Sequence, residues 1–322
     1  MTDAAFRRLA PVVRLAPAKL NLTLAVLGRR SDGFHSLHSV AVPLGLADRL
    51  SVSPAAGPVD TLHVRGHDPG PPDQNLALRA VAAARAAAGR RASSVSLAMR
   101  LEKRIPVAAG LCGGSSDAAA ALDAALEAWG VPSGAVDRAD VAAHLGSDVP
   151  FFLAGGAALI EGRGERVTPL PDLAGQPPGV LLVTPDVEIS TAAAFAALSS
   201  GSAATRLTSE HLAAEWRAGL GAADVVARGG VLAVANDLVA AAVAVAPELR
   251  SFRRAVTRVL GRPVGQSGSG PTLWALYPSI EAAEAAALEL EAAVADGRLP
   301  AVGDRVPRIV ATTILGGRPQ TR

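Results

Sequence analysis

A chain of 322 residues, half of them apolar and 3% aromatic, with a formal charge of +2, is sized for two folded cores rather than one. Its 31 basic residues are balanced by 29 acidic ones with no basic block or basic–aromatic stripe, which excludes nucleic acid as the expected partner. The lone cysteine, Cys112, excludes a disulfide framework and a cysteine-based metal cluster.

The first residues carry Arg7, Arg8 and Arg14 without an apolar segment long enough for a signal peptide. No charge-free apolar run further along reaches membrane-spanning length; the nearest, at 238–246, stops at Pro247. A cytoplasmic protein with no membrane partner is therefore expected. Residues 12–27 alternate and are bounded by Gly28, predicting one or two strands around a kink at 16–19. Residues 57–72 are rich in Gly, Pro and Asp and read as turn. Asn75 is placed to cap an Ala-rich helix that ends before Gly89. A strand follows at 95–101, a loop at 103–116 and a helix at 116–129, where Leu122, Leu126 and Trp129 share one face. A short helix at 141–145 closes at Gly146, and strands are expected at 157–160 and 180–183. Between them, 169–178 holds four prolines and marks the junction of two domains, 1–170 and 171–322. The second half repeats the mixture, with helices at 191–198, 209–220, 238–245 and 280–295 and strands at 272–277 and 308–315. Strands and helices interleave without a regular βαβ beat, so the fold class is α+β rather than a doubly wound sheet.

Chemistry concentrates in residues 105–117. Gly110, Gly113 and Gly114 permit positive φ and let the backbone approach a ligand. The helix that starts there leaves several N–H donors unpaired and carries partial positive charge at its tip. Loop and tip together form an anion site, to which Ser115 and Ser116 add hydroxyls. No Gly-Lys-Ser/Thr follows the glycines, so this is not a P-loop, and no Gly-x-Gly-x-x-Gly is present for a dinucleotide. A glycine-rich turn with serine caps is the plainer reading of the same residues. All the basic residues are Arg except Lys19 and Lys103, and each lysine lies beside a motif. A compact ammonium on a flexible stem does what a planar guanidinium cannot.

Residues 106–118 resemble the second motif of the GHMP kinase superfamily, with Cys112 standing where a third glycine is usual. Ala16-Pro17-Ala18-Lys19-Leu20-Asn21-Leu22 and Arg30-Ser31-Asp32-Gly33-Phe34-His35 resemble one branch of it, the 4-diphosphocytidyl-2-C-methyl-D-erythritol kinases. So do Asp73-Gln74-Asn75-Leu76, the segment 145–152 (Leu-Gly-Ser-Asp-Val-Pro-Phe-Phe) and the segment 267–272 (Ser-Gly-Ser-Gly-Pro-Thr). The resemblance implies a two-domain fold of mixed sheets and packed helices with the active site in the cleft between domains. The N-terminal domain would bind nucleotide and the C-terminal domain would contribute to substrate binding. It implies transfer of the γ-phosphate of ATP, with Mg²⁺, to the 2-hydroxyl of a cytidine-diphosphate-linked methylerythritol, by a monomer or homodimer.

Asp148 is then the base and Lys19 its partner, a pairing that makes chemical sense because an alcohol needs a nearby carboxylate to take its proton. The bland alternative is a surface ion pair, or an Asp capping a turn before Pro150. ATP is expected at Pro106, Gly110, Leu111, Cys112, Gly113, Gly114, Ser115 and Ser116, with Asn75 at the adenine unless it serves only as a helix cap. The substrate is expected at Asn21, Phe34, His35, Phe195, Ser267 and Gly268. Phe34 and Phe195 would offer stacking faces to the base, although either could be core. No carboxylate stands out for Mg²⁺, leaving the Ser116 hydroxyl and water. Asp237 follows the branch pattern without an assigned role. Another superfamily kinase, of homoserine or mevalonate type, and a non-catalytic nucleotide-binding relative are the rival readings.

Overall fold

The computed structural model describes residues 10–68, 70–89, 95–132 and 134–317, and the early Arg7 and Arg8 lie outside them. The chain opens with β1 (Val12–Asn21), β2 (Ala25–Arg29) and the 21-residue β3 (His35–Ala55). These are joined by β4 (Thr61–Gly66), β5 (Ser96–Lys103), β6 (Ala158–Gly162) and β7 (Arg166–Pro169). β3 is the spine of this seven-stranded sheet, antiparallel to β1, β2, β5 and β6, while β4 adds to β5 in parallel and β7 to β6 antiparallel.

Sequence patterning gave no strand over β3, and there is a local reason. Pro43, Gly45 and Asp48 interrupt its apolar alternation, and each normally argues against a strand. Here they fall where the other half of the chain arrives. Leu315 N–H donates to Pro43 O, Leu44 bridges to Ile314, and Leu46 N–H donates to the Thr312 hydroxyl. A Cβ on Gly45 would lie 3.1 Å from that hydroxyl, so the glycine admits the neighbour. Opposite this stretch β1 shifts register between Pro17 and Lys19, the kink expected from its sequence.

One face of the sheet is covered by α1 (Leu76–Ala88), α2 (Gly113–Ala128), α3 (Arg138–Leu145) and α4 (Val149–Ala154). Buried alanines dominate where α1 and α2 meet, among them Ala77, Ala80 and Ala84 against Ala118, Ala121 and Ala125. Side chains this small let two helices approach closely, and they explain the Ala-rich composition.

The second sheet contains β8 (Gly179–Thr184), β9 (Gly265–Gln266), β10 (Leu273–Tyr277) and β11 (Arg308–Thr313), antiparallel in the order β11-β8-β10-β9. Around it run α5 (Thr191–Ala197), α6 (Ala203–Arg217), α7 (Ala222–Ala227), α8 (Gly229–Leu232), α9 (Leu238–Val245), α10 (Glu248–Leu260) and α11 (Ile280–Ala295). The strands of the two sheets lie on opposite sides of the proline-rich stretch at 169–178 in sequence. One apolar cluster nevertheless joins them, packing Leu20, Val42 and Ile105 with Val180, Trp274 and Leu276. The mixed α+β class expected from the sequence is the class observed.

Several boundaries differ. The 57–72 turn region contains β4, an edge strand short enough for Gly and Pro to flank it. The 103–116 loop ends early because α2 takes Gly113 and Gly114 into its first turn. α10 was not anticipated, although Leu249, Phe252 and Val256 recur at helical spacing on its buried side.

Candidate active site

The residues expected to do chemistry meet around one cavity of about 850 Å³, lined by Lys19, Asn21, Phe34, His35, Cys112 and Asp148 among others. Phe195, Gly110 and Gly268 also line it. They arrive from separate parts of the chain: β1, the β2–β3 turn and the start of β3, the glycine loop, the residue before α4, α5, and the loop between β9 and β10.

Two glycine loops form one wall. Gly110 has φ of 73°, and a Cβ there would stand 2.4 Å from Ser267 O and 2.9 Å from Gly270 O. No side chain fits, so the loops interlock backbone to backbone. The Ser267 hydroxyl donates to Gly110 O at 2.9 Å, which makes Ser267 a buried clamp between loops rather than a cavity-lining group. Asn236 performs the same service from behind, its amide donating to Gln266 O at 3.0 Å and to Gly268 O at 2.9 Å.

Cys112 caps α2 in the left-handed conformation, with φ of 57° and no side-chain bond to the helix. The first-turn N–H groups at Gly113, Gly114 and Ser115 therefore keep their donor capacity, and Gly114 is exposed. Leu111 points the other way, into the shared core, and its carbonyl receives Lys19 N–H at 2.9 Å. Pro106 is half-buried at the loop's start.

At the cavity floor Lys19 Nζ donates to Asp148 Oδ1 at 2.6 Å. The lysine side chain is 4% exposed and the aspartate 38%, so the ammonium is sealed while the carboxylate faces the cavity. Burial pulls the Lys19 ammonium toward deprotonation, but the adjacent carboxylate outweighs it and the pKa is raised. For Asp148 burial favours the neutral acid, and Lys19 again wins, holding the carboxyl below its ordinary range. Cys112 Sγ lies 3.4 Å from Asp148 Oδ2, and burial, with that neighbouring carboxylate, pushes the thiol up to about 12. At neutral pH the trio is an ammonium, a carboxylate and an S–H donor.

Asn21 is set by a bond from its amide to the Ser39 hydroxyl at 2.8 Å. His35 and Phe195 stack with centroids 5.1 Å apart. Phe34, 48% exposed, has the Arg163 guanidinium 5.2 Å from its ring. The expected arrangement, with Phe34 and Phe195 on either side of a base, thus differs in one respect: a face of Phe195 is already taken by His35.

Pro106, Leu111, Gly113, Gly114, Ser115 and Ser267 stand around this cavity without lining it, and two further expected groups, Asn75 and Ser116, are committed elsewhere. Asn75 caps α1, its side chain accepting from Ala77 N–H at 2.9 Å. Ser116 has a buried hydroxyl without a hydrogen-bond partner among the described residues and lines a different cavity, beside Arg14 and Phe151. That removes Ser116 as the loop's free hydroxyl and leaves the partly exposed Ser115. Sequence reasoning missed the groups beneath the loop. Lys103 Nζ is bound by Asp48 and, at 2.7 Å, by Asp117, all three buried. Asp48 also accepts Arg104 N–H and Ile105 N–H, so it fixes the strand that leads into the loop. The survival of a lysine at 103 in an arginine-rich chain was the available signal.

Among the described residues no helix is long and apolar enough to cross a membrane. A family model described as the GHMP kinases N terminal domain matches residues 75–156. The 4-diphosphocytidyl-2-C-methyl-D-erythritol kinase of Pelotomaculum thermopropionicum is 39% identical over 275 residues, covering 84% of this chain and 91% of that protein. The kinase of the same name from Deinococcus radiodurans is 39% identical over 287 residues, covering 87% and 90%. A crystal structure of 4-(cytidine 5'-diphospho)-2C-methyl-D-erythritol kinase superposes with a TM-score of 0.68 at 35% identity, covering 95% of this chain and all of that one. A homoserine kinase from Cytophaga hutchinsonii reaches the same TM-score at 16% identity, over 97% of this chain and 98% of its own, a likeness of fold alone.

Proposed function

The chain belongs to the 4-diphosphocytidyl-2-C-methyl-D-erythritol kinase family of GHMP kinases, and from that premise we propose that its cleft moves the γ-phosphate of ATP onto the 2-hydroxyl of that cytidine-linked alcohol. The observation that carries the reading is the Lys19–Asp148 pair set in one cavity with Cys112 of the glycine loop and the aromatic group at 34, 35 and 195.

In this reading the triphosphate lies against Gly110 and the first turn of α2, whose free N–H groups and helix dipole favour negative charge. Asp148 accepts the proton of the attacking hydroxyl as the new P–O bond forms and the bond to the ADP oxygen breaks. Lys19 keeps the carboxylate ionised and aimed, and the Cys112 S–H is a weak donor that the substrate hydroxyl displaces from Oδ2. Phe34, His35 and Phe195 form the cytidine end, with Asn21 and Gly268 along the path between.

Among the described residues no three acidic, His or Cys side chains cluster to cage a metal. That donor set fits a Mg²⁺ carried in on the phosphates and kept mostly hydrated, with Asp148 and the Ser115 hydroxyl as the protein oxygens at hand. When bound, the ion would neutralise the phosphate charge. The proline-rich stretch at 169–178 is the proposed boundary between a nucleotide domain and a domain that completes the substrate pocket.

The test is turnover of ATP by the purified chain against a panel of alcohols. Phosphorylation of the cytidine-linked substrate, with homoserine and mevalonate left untouched, is the expected result. Turnover of homoserine alone would end the specific assignment.

A further inference from the structure

A second cavity of about 920 Å³ opens beside α9 and α10, behind the wall of the first; Ser200 lines both. Four arginines line it, Arg250, Arg253, Arg254 and Arg258, all from α10. Among the described residues none of the four is ion-paired with a carboxylate. Arg250, Arg254 and Arg258 recur at i, i+4 and i+8, each one helical turn from the next, an arrangement in which like charges repel. A solvated face normally relieves such a stripe with acidic residues at the same spacing, and this one has none.

Arg253 sharpens the point. Its guanidinium is partly buried and locked by bonds from Nε to Val264 O and from Nη2 to Ala233 O, both 2.9 Å. Burial lowers its pKa, and no acidic neighbour contributes an opposing pull. A guanidinium fixed in a cavity wall without a counter-ion is a site made for an anion. The one carboxylate that lines the cavity, Asp237, has Oδ2 engaged by Val26 N–H at 2.8 Å. Ser202 adds a hydroxyl to the lining, while that of Thr257 is already donated to Arg253 O at 2.8 Å.

We propose that this cavity binds a small molecule bearing two linked phosphates, at a site separate from the glycine loop. Arg250, Arg254 and Arg258 are each about 6 Å from the next along the helix axis, close enough for long side chains from consecutive turns to converge, one guanidinium fork on each of two linked phosphates. An isolated phosphate would engage only one turn of the stripe. Free pyrophosphate and a diphosphate ester share this chemistry.

The experiment is calorimetric titration of inorganic pyrophosphate into the full chain, with the glycine loop filled by a saturating non-hydrolysable ATP analogue. One pyrophosphate per chain is expected, bound at least tenfold more tightly than orthophosphate and weakened at least tenfold by R250A/R254A. Both substituted side chains are exposed, so the variant keeps its fold and its kinase turnover, which separates this result from the fate of the kinase reading. A methyl diphosphate ester run in parallel identifies the better ligand class, and tighter binding of either through these arginines supports the site. Absence of binding with the loop filled overturns the proposal, as does binding that R250A/R254A alters by less than tenfold.

Discussion

Cys112 Sγ meets Asp148 Oδ2 at 3.4 Å while Lys19 meets the other oxygen of the same carboxylate. The thiol is held protonated by burial and by that negative neighbour, its pKa pushed up from 9.0 to about 12. Since only the thiolate reacts, Cys112 should resist iodoacetamide in the native protein at pH 7.5, by at least tenfold relative to the urea-unfolded chain. Mass-spectrometric labelling rates check this, and equal rates in the two states would remove the shielded thiol.

Asp148→Asn keeps the shape of the site but removes the proton acceptor. Turnover should fall by about 10²–10⁴-fold, the usual contribution of a general base, with ATP affinity retained. The wild-type pH profile carries a second test. Asp148 titrates below the ordinary carboxylate range and Lys19 above the ordinary lysine range, so neither group changes charge between pH 5 and pH 9. The pair should impose no limb on kcat/KM in that interval. An acid limb near pH 6 that vanishes in Asp148→Asn would overturn the lowered carboxyl while leaving Asp148 as the base.

Beneath the loop, Lys103 separates two buried carboxylates, Asp48 and Asp117. Lys103→Met leaves both without a counter-charge and should cost about 3–5 kcal/mol of stability. Asp117 behaves differently. Burial, opposed by Lys103 and reinforced by Asp48, pushes its carboxyl up to about 7. The folded state then binds a proton more tightly than the unfolded state, so this group's contribution to stability falls as pH rises from about 4 to 7. Asp117→Asn removes that fall, and its melting temperature relative to wild type should climb between pH 4 and pH 8. A relative Tm that drops over the same range would reverse the sign argued here.

The motif residues were legible because their chemistry is local. A glycine whose Cβ has no room, or a helix tip without a cap, is written in a few adjacent letters, as Gly110 and 112–115 are. Lys19 and Asp148 stand 129 positions apart, and they were paired only through the resemblance of their surrounding segments. What could not be read was long-range. Pro43 and Gly45 read as breakers because nothing nearby says that β11 and its flank will dock there. Asp48 looks like a surface turn residue until Lys103 and the 104–105 amides converge on it. Ser116 failed for a geometric reason: on a helix, adjacent serines point about 100° apart, and the second turns inward.

The stacked pair His35–Phe195 and the exposed Phe34 line the same cavity as Asp148 and are the groups proposed to hold the cytidine. Phe195→Ala removes one stacking face and the support of His35 together. The expected effect is a rise of roughly tenfold or more in KM for the cytidine substrate, with KM for ATP changed by less than twofold. Steady-state kinetics with each substrate varied in turn decide it, and equal shifts in both constants would mean that the two pockets are misplaced.

Asn236 ties the glycine loop at 267–270 to the strand that leads toward Phe34. Its amide holds the carbonyls of Gln266 and Gly268, and its Oδ1 accepts Leu238 N–H at 2.9 Å. The backbone beside it joins β2, Leu24 N–H donating to Ala235 O at 2.7 Å and Asp237 N–H to Leu24 O at 2.9 Å. Every polar atom of this buried side chain is therefore spent on holding two chain segments. Asn236→Ala removes a donor from both carbonyls, leaving Gly268 O only its 3.4 Å bond from Gln266 Nε2, and strips Leu238 N–H of its acceptor, at about 1–3 kcal/mol for each group left unpaired that water fails to reach. The loss should appear as a lowered Tm and as a raised KM for the cytidine substrate, because Gly268 lines its path. Asn236→Asp keeps the acceptor for Leu238 but loses the amide donors, so it should restore neither property. If Asn236→Asp matched wild type in both Tm and KM, the two carbonyl bonds would have no part in shaping the site.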